Sequence, residues 1–182
     1  SVNYFATAAG AYADKIAANP EIYGNVEVIN YGDPASSDMA APGTVDAALL
    51  FRLYHNAIRG GSVDAMLTDA YAALKPGGVL GVVQHRAPED AVPEAEQRNG
   101  YVKESTVIAD AERAGFTLEA RSEINANPAD TADHPEGVWS LPPSLAVCGS
   151  MDDGEEKDAC IEEYTAIGES DRMTLKFVKP AA

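Results

Sequence analysis

One stretch decides the fold: in Ala73-Leu74-Lys75-Pro76-Gly77-Gly78-Val79-Leu80-Gly81-Val82-Val83 a helix ends and a buried strand begins. The helix is predicted from apolar residues that recur at helical spacing: Val63, Met66, Leu67, Ala70, Tyr71 and Leu74. Ser62 stands where a helix-capping residue is favoured. Because Pro76 cannot continue a helix and Gly77 tolerates left-handed geometry, the helix ends here, and Val79 to Gln84 is predicted to be a strand.

The remaining segments alternate between the same two kinds of element. Apolar residues at helical spacing predict helices over residues 5–16 and 102–114, and apolar runs predict strands over residues 25–31, 45–51, 117–124 and 173–178. Residues 127–165 are predicted to be an irregular loop region, because prolines recur in its first half. This order predicts one α/β domain over residues 1–182, with a mostly parallel sheet and helices on both faces.

The charge balance excludes several classes of partner. The chain carries 13 Lys and Arg residues against 29 Asp and Glu residues, which gives a formal net charge of −16. Binding of nucleic acid needs clusters of basic residues, so no nucleic-acid partner is expected for this acidic protein. No apolar run reaches the roughly 20 residues that a membrane span requires. Neither a nucleic-acid partner nor a membrane span is therefore expected.

The two cysteines, Cys148 and Cys160, flank a polar acidic loop. Two cysteines that close such a loop favour a surface disulfide, which would indicate an oxidising compartment; two unpaired thiols are the alternative. No C-x-x-C motif or nearby histidine accompanies them, and the three histidines of the chain are dispersed. No metal site is therefore expected.

Polar residues that directly follow strands are the candidates for a functional site, because ligands bind beyond the carboxyl ends of such strands. These residues are Asp33, then Tyr54, His55 and Asn56, then His85 and Arg86. His55 is the candidate general base, since its pKa lies near neutral pH, and a histidine satisfied by hydrogen bonds is the alternative. Tyr54, Asn56, His85 and Arg86 are candidate substrate ligands. Arg86 would suit a carboxylate or phosphate, or else an ion pair with nearby acids.

Five short motifs in register give a family resemblance. They are His55-Asn56, His85-Arg86-Ala87, Ala114-Gly115-Phe116, Asn127-Pro128-Ala129-Asp130 and Asp171-Arg172-Met173-Thr174-Leu175-Lys176-Phe177-Val178-Lys179-Pro180. Together with Leu74-Lys75-Pro76-Gly77-Gly78 before a strand, the chain resembles the class I S-adenosylmethionine-dependent methyltransferases, and in particular a group of bacterial predicted methyltransferases. The resemblance covers the order of elements from Asn3 to Pro180.

The resemblance implies a Rossmann-like fold and transfer of a methyl group from S-adenosylmethionine to a small acceptor. It places Asp33 near the adenine amine of the cofactor, although a turn residue in Gly-Asp-Pro is the alternative. It also implies a periplasmic or exported location, because many members of that group carry export signals; a cytoplasmic location is the alternative.

The chain departs from the family pattern at its start. The glycine-rich G-x-G-x-G loop that holds the cofactor and the strands around it do not occur in these residues. The N-terminal strands of the family are therefore expected to be missing from these residues. An upstream segment or another copy in a homo-oligomer could supply them. Alternatively, the strand over residues 25–31 could pair directly with the strand over residues 45–51. A non-catalytic binding or interaction protein on the same fold is the alternative function.

Overall fold

The computed structural model describes residues 6–26, 39–92 and 98–181, and five strands in it form one mixed sheet. The strands are β1 (Val45–Phe51), β2 (Leu74–Ala87), β3 (Val102–Lys103), β4 (Thr117–Ser122) and β5 (Arg172–Val178). Their order is β1-β2-β5-β4, and β3 pairs in parallel with the end of β2. Because β1 runs parallel to β2 and β5 runs antiparallel to both β2 and β4, β5 is the reversed strand. The predicted α/β fold is confirmed.

Seven helices accompany the sheet in the described ranges. They are α1 (Ala6–Ala18), α2 (Pro20–Tyr23), α3 (Tyr54–Arg59), α4 (Val63–Ala73), α5 (Glu104–Arg113), α6 (Ala146–Gly149) and α7 (Glu155–Ile167), with a 3-10 helix at Gly137–Ser140. Helix α4 contacts β2 and α5, and α5 contacts β4. Their apolar faces enclose a core that includes Leu67, Leu74, Leu80 and Phe177, each with no exposed surface. Each such side chain contributes about 1.5–3 kcal/mol of burial.

The deciding stretch folds almost as predicted. Helix α4 ends at Ala73, but β2 begins at Leu74, earlier than the predicted Val79, and residues 75–78 form an irregularity opposite β1. Gly77 has φ of 78°, in the left-handed region that glycine favours. The ammonium of Lys179 donates to the carbonyl oxygens of Tyr71 and Leu74, both at 2.7 Å. A cation at the carboxyl end of a helix is favourable, so Lys179, which directly follows β5, helps to end α4.

Ser62 occupies the predicted N-cap position of α4 but does not make the hydrogen bond expected of a capping side chain. Its hydroxyl lies 3.5 Å from the carbonyl oxygen of Ala57 instead. That contact joins the start of α4 to α3.

The prediction of an irregular region over residues 127–165 is wrong in its second half. Helix α7 occupies Glu155–Ile167 there, and Cys148 and Cys160 form a disulfide that ties α6 to α7. The predicted disulfide is thus present. Residues 102–103 are a strand rather than the start of a helix, and β4 ends at Ser122 rather than at residue 124.

Strand β1 forms one edge of the sheet. Within the ranges described, it pairs with β2 and with no other strand, and its apolar side chains Leu49 and Phe51 are 59% and 54% exposed. An apolar edge of this kind is a template for a further strand. The strand predicted over residues 25–31 and the candidate Asp33 fall largely or wholly on residues 27–38, outside the described part. How the edge is completed therefore stays a prediction.

In the described ranges, none of the helices combines the length and the apolar character that crossing a bilayer requires.

Candidate functional site

A pocket of about 320 Å³ lies where β1 and β2 end and β5 begins. This is the edge of an α/β sheet at which ligands characteristically bind. The pocket is lined by Phe51, Arg52, His55, Asn56, His85, Val138, Trp139, Pro142, Pro143, Ser144, Glu169, Ser170 and Arg172. Three of the predicted site residues, His55, Asn56 and His85, are thus brought together.

The sheet register explains this convergence. His85 and Arg172 are direct partners across the antiparallel pair of β2 and β5, so their side chains are neighbours. On the other side, the backbone N–H of Arg52 donates to the carbonyl oxygen of Val83 at 2.7 Å, which brings the end of β1 beside the end of β2. Arg52 has φ of 55°, a conformation that is uncommon for residues other than glycine and is often found at functional sites.

A buried glutamine fixes the proton position on His55. The amide nitrogen of Gln84, a residue with no exposed surface, donates to the carbonyl oxygen of Gly100 at 2.9 Å. The same nitrogen lies 3.1 Å from Nδ1 of His55, whereas the amide oxygen is 3.4 Å away. The shorter of these two contacts, together with the hydrogen bond to Gly100, favours Nδ1 as the acceptor and the Nε2–H form of the neutral ring. His55 therefore offers an N–H donor to the pocket.

Both pocket histidines are held neutral. Burial lowers the pKa of His55 below its ordinary value. Burial also lowers the pKa of His85 to about 3, assisted by the neighbouring His55, Arg172 and Arg52. Nδ1 of His85 is 2.5 Å from the hydroxyl of Ser170, and the two imidazole centroids are 5.6 Å apart. Two uncharged imidazoles thus lie next to two guanidinium groups.

Charged and aromatic groups complete the pocket wall. Arg172 pairs with Glu169 through one terminal nitrogen, while its Nε is buried and has no hydrogen-bond partner among the described residues. Trp139 packs edge-on against His55 with centroids 5.8 Å apart. The guanidinium of Arg59 lies over the indole, 4.9 Å from its centroid. The indole is thereby fixed between a cation and an imidazole.

Tyr54 lies away from the pocket. Its ring has no exposed surface, and its hydroxyl donates to a carboxylate oxygen of Asp110 at 2.8 Å. Burial, with the adjacent Asp110 charge, raises the pKa of Tyr54. The contact joins α3 to α5, and the role of Tyr54 as a substrate ligand stays a prediction that this geometry does not favour.

Arg86 forms ion pairs with acidic residues, which was the alternative to its predicted role as a substrate ligand. Its guanidinium donates to both carboxylate oxygens of Asp171 at 2.8 and 3.0 Å and to Glu123 at 2.8 and 3.2 Å. These hydrogen bonds raise the pKa of Arg86. The side chain lines a different cavity of about 420 Å³, together with Glu89, Glu104 and Asp171. Its predicted contact with substrate is untested.

A buried carboxylate holds the long loop against β5. Asp130, whose side chain has no exposed surface, accepts hydrogen bonds from the Tyr101 hydroxyl at 2.9 Å and from the Asp171 backbone N–H at 2.7 Å. His134 Nε2 and the backbone N–H of Ala132 also lie 2.9 Å from it. This network fixes the residues that immediately precede Arg172 and supports one wall of the pocket.

Several pocket residues were not singled out from the sequence for this site. Arg172 lies within the motif over residues 171–180, and Gln84 directly precedes the motif that begins at His85. Both residues could therefore have been found from their position in or beside a family motif. Arg52 directly follows the strand predicted over residues 45–51 and so carried the strand-end signal, whereas Glu169 and Ser170 carried none. Trp139 also lies at the pocket wall. In the part of the chain that the structure describes, no group of three metal-ligating side chains is close enough to hold a metal ion.

No family model and no curated protein matches the chain. Solved structures do match it. The [4+2]-cyclase SpnF superposes with a TM-score of 0.62 over 100% of this chain and 65% of its own, at 16% identity. An S-adenosylmethionine-dependent methyltransferase from Methanosarcina mazei gives a TM-score of 0.58 over 100% of this chain and 81% of its own, at 9% identity.

A possible exported protein from Bordetella parapertussis matches with a TM-score of 0.53 and 16% identity, over 100% of this chain and 53% of its own. The chain thus spans 65% of SpnF and 53% of the Bordetella protein. With its strand order and its reversed β5, the chain has the fold of the class I S-adenosylmethionine-dependent methyltransferases.

Proposed function

We propose that the protein transfers a methyl group from S-adenosylmethionine to a small acceptor held in the 320 Å³ pocket. The observation that carries this proposal is the position of the pocket, at the carboxyl ends of β1 and β2 of this fold. A nucleophilic group of the acceptor would lie there beside the two histidines. The similarity to SpnF, which is a [4+2]-cyclase, means that the fold alone does not decide the reaction.

The described residues fit one wall of a cofactor site rather than all of it. No G-x-G-x-G loop occurs in the sequence, and Asp33 lies outside the described part. The bare apolar edge of β1 ends at the pocket, so a strand added parallel to β1 would bring its own carboxyl end to the site. We propose that residues before β1, a flanking segment or a second copy supply this strand. When bound, S-adenosylmethionine supplies an electrophilic methyl group on a sulfonium.

His55 is proposed as the catalytic residue that contacts the acceptor. In the resting state its Nε2–H can donate to an acceptor oxygen and orient it, because Gln84 and Gly100 keep the proton on that nitrogen. The predicted base role requires Nε2 to be free of its proton, which this hydrogen-bond network opposes. His85 is a weak base with a pKa of about 3. The site therefore suits an acceptor that arrives already ionised.

The test is calorimetric titration of S-adenosylhomocysteine into the full product of the gene, followed by methyl transfer to a panel of small acids. Binding together with transfer supports the proposal, and His55→Ala should then abolish turnover in a folded protein. Arg121→Gln, which alters an exposed ion pair with Glu104, is the matched control. Binding of acids without any binding of S-adenosylhomocysteine would overturn methyl transfer in favour of a binding protein.

We further propose a periplasmic or exported location. The disulfide between Cys148 and Cys160 supports it, because such bonds persist in oxidising compartments and are rare in the cytosol. Fractionation of the native host, with alkylation of free thiols before lysis, checks this. Recovery in the cytosol with both thiols free would contradict it.

A further inference from the structure

We propose that the pocket selects a small organic monoanion: a carboxylate on an apolar body. The proposal names the substrate class of the site described above, and its identification as a substrate rests on the proposed methyl transfer. The binding chemistry itself depends on the pocket alone.

The charge of the pocket contrasts with that of the chain. The protein has a formal net charge of −16, yet two arginines, Arg52 and Arg172, line this cavity against a single carboxylate, Glu169. The two histidines contribute no charge, because the pKa of each is lowered. Among the residues that line the pocket, one positive charge is left over, which matches one carboxylate rather than a doubly charged phosphate. A guanidinium is the side chain best suited to hold a carboxylate.

Three residues with hydrogen-bond donors line the same pocket: Arg52, His55 and Arg172. Nε of Arg172 is buried and has no partner in the described residues, and a buried donor in this state costs stability. His55 adds an Nε2–H donor by virtue of its tautomer. Arg52 lies at the pocket with its guanidinium outside every side-chain hydrogen bond and ion pair among those residues. A ligand carboxylate would supply the acceptor oxygens that these three donors lack.

The opposite wall selects the body of the ligand. Trp139, Val138, Pro142, Pro143 and Phe51 give it an apolar and partly aromatic surface. The indole is held in place by Arg59 and His55, so a flat apolar group can stack or pack on a fixed surface. A volume of about 320 Å³ is at the lower end of the range for ligand pockets, which restricts the ligand to a small molecule.

The chain has a single tryptophan, and it lines the pocket, so indole fluorescence reports occupancy. The probes are phenylacetate, phenylacetamide and phenethylamine, which share a ring and a chain and differ in charge. Excitation at the long-wavelength edge of the indole absorption avoids the absorption of all three probes and of tyrosine. We expect phenylacetate to bind at least about tenfold more tightly than the amide, since a hydrogen bond to a charged group is worth about a factor of ten or more. The amine should not bind.

Arginine variants test the donors. Arg172→Gln and Arg52→Gln should each weaken phenylacetate at least about tenfold and leave phenylacetamide unchanged. Arg121→Gln removes the same charge away from the pocket and should leave both affinities unchanged. Circular dichroism establishes that each variant folds, and a shorter probe, acetate, tests the anion site if the ring does not fit.

Equal binding of phenylacetate and phenylacetamide, or failure of both carboxylates to bind the folded protein at millimolar concentration, would overturn the proposal. A different outcome is that the protein binds carboxylates, that the arginine variants do not, and that S-adenosylhomocysteine does not bind. This outcome would support the anion pocket and refute methyl transfer. The two ideas can therefore fail separately.

Discussion

Replacing His85 by glutamine should flatten the pH dependence of stability. In the unfolded chain this histidine titrates near its ordinary pKa of 6.5, and in the folded protein its pKa is about 3. Between these values the unfolded state binds one more proton than the folded state, so stability falls as the pH falls. From pH 7.5 to 5.5 the loss from His85 alone is about 1.4 kcal/mol, the equivalent of a tenfold change in the folding constant.

The assay is urea unfolding of the wild type and His85→Gln at about pH 7.5 and 5.5, where ordinary carboxylates remain largely ionised. The wild type should lose about 1.4 kcal/mol more than the variant between the two pH values. His55 contributes in the same direction in both proteins and cancels in the comparison. Arg121→Gln should behave as the wild type. Equal losses in the wild type and His85→Gln would refute the reasoning that burial and the nearby arginines keep this imidazole neutral.

Three further predictions concern the support of the site. Asp130→Ala should lower the free energy of unfolding by about 3–5 kcal/mol, because it leaves buried donors without their acceptor, whereas Asp133→Ala at an exposed position should leave it nearly unchanged. Urea unfolding of both variants measures this, and equal effects would contradict it. Gln84→Leu removes the amide that favours the Nε2–H tautomer of His55. At neutral pH the nitrogen-15 chemical shifts of the ring should change from those of the Nε2–H form to those of a mixture of tautomers, and unchanged shifts would count against the tautomer assignment. Reduction of the Cys148–Cys160 disulfide should destabilise the protein by about 2–4 kcal/mol. Thermal unfolding should then show a lower midpoint temperature, and an unchanged midpoint would refute this prediction.

Local signals account for what the sequence could predict about the fold. Pro76 and Gly77 end α4 by backbone chemistry that acts within a few residues, and the apolar run of β1 needs no tertiary information to be recognised. Helix α7 was missed because its sequence is mostly polar and lacks a clear apolar stripe. Its position depends on the disulfide at Cys160, which is a contact between segments.

The sequence indicated two strand ends that line the candidate pocket, but not how its side chains are arranged. The rule that ligands bind beyond strand ends singled out His55 and His85, which line one pocket, and their functional roles stay predictions. The rule gave Arg86 and Tyr54 the same weight, although each is engaged by carboxylates of neighbouring elements. The His55 tautomer depends on Gly100, and the pairing of His85 with Arg172 depends on the register of a strand far along the chain. Neither contact can be recognised from the residues that are near it in the sequence.

Calorimetric titration of S-adenosylhomocysteine into the full gene product, with and without phenylacetate, tests the proposed methyl transfer at its cofactor. We expect saturable binding of S-adenosylhomocysteine in both cases, because the cofactor and the acid would occupy adjoining parts of one site at the ends of β1 and β2. A folded protein that gives no heat of binding at millimolar S-adenosylhomocysteine would contradict it.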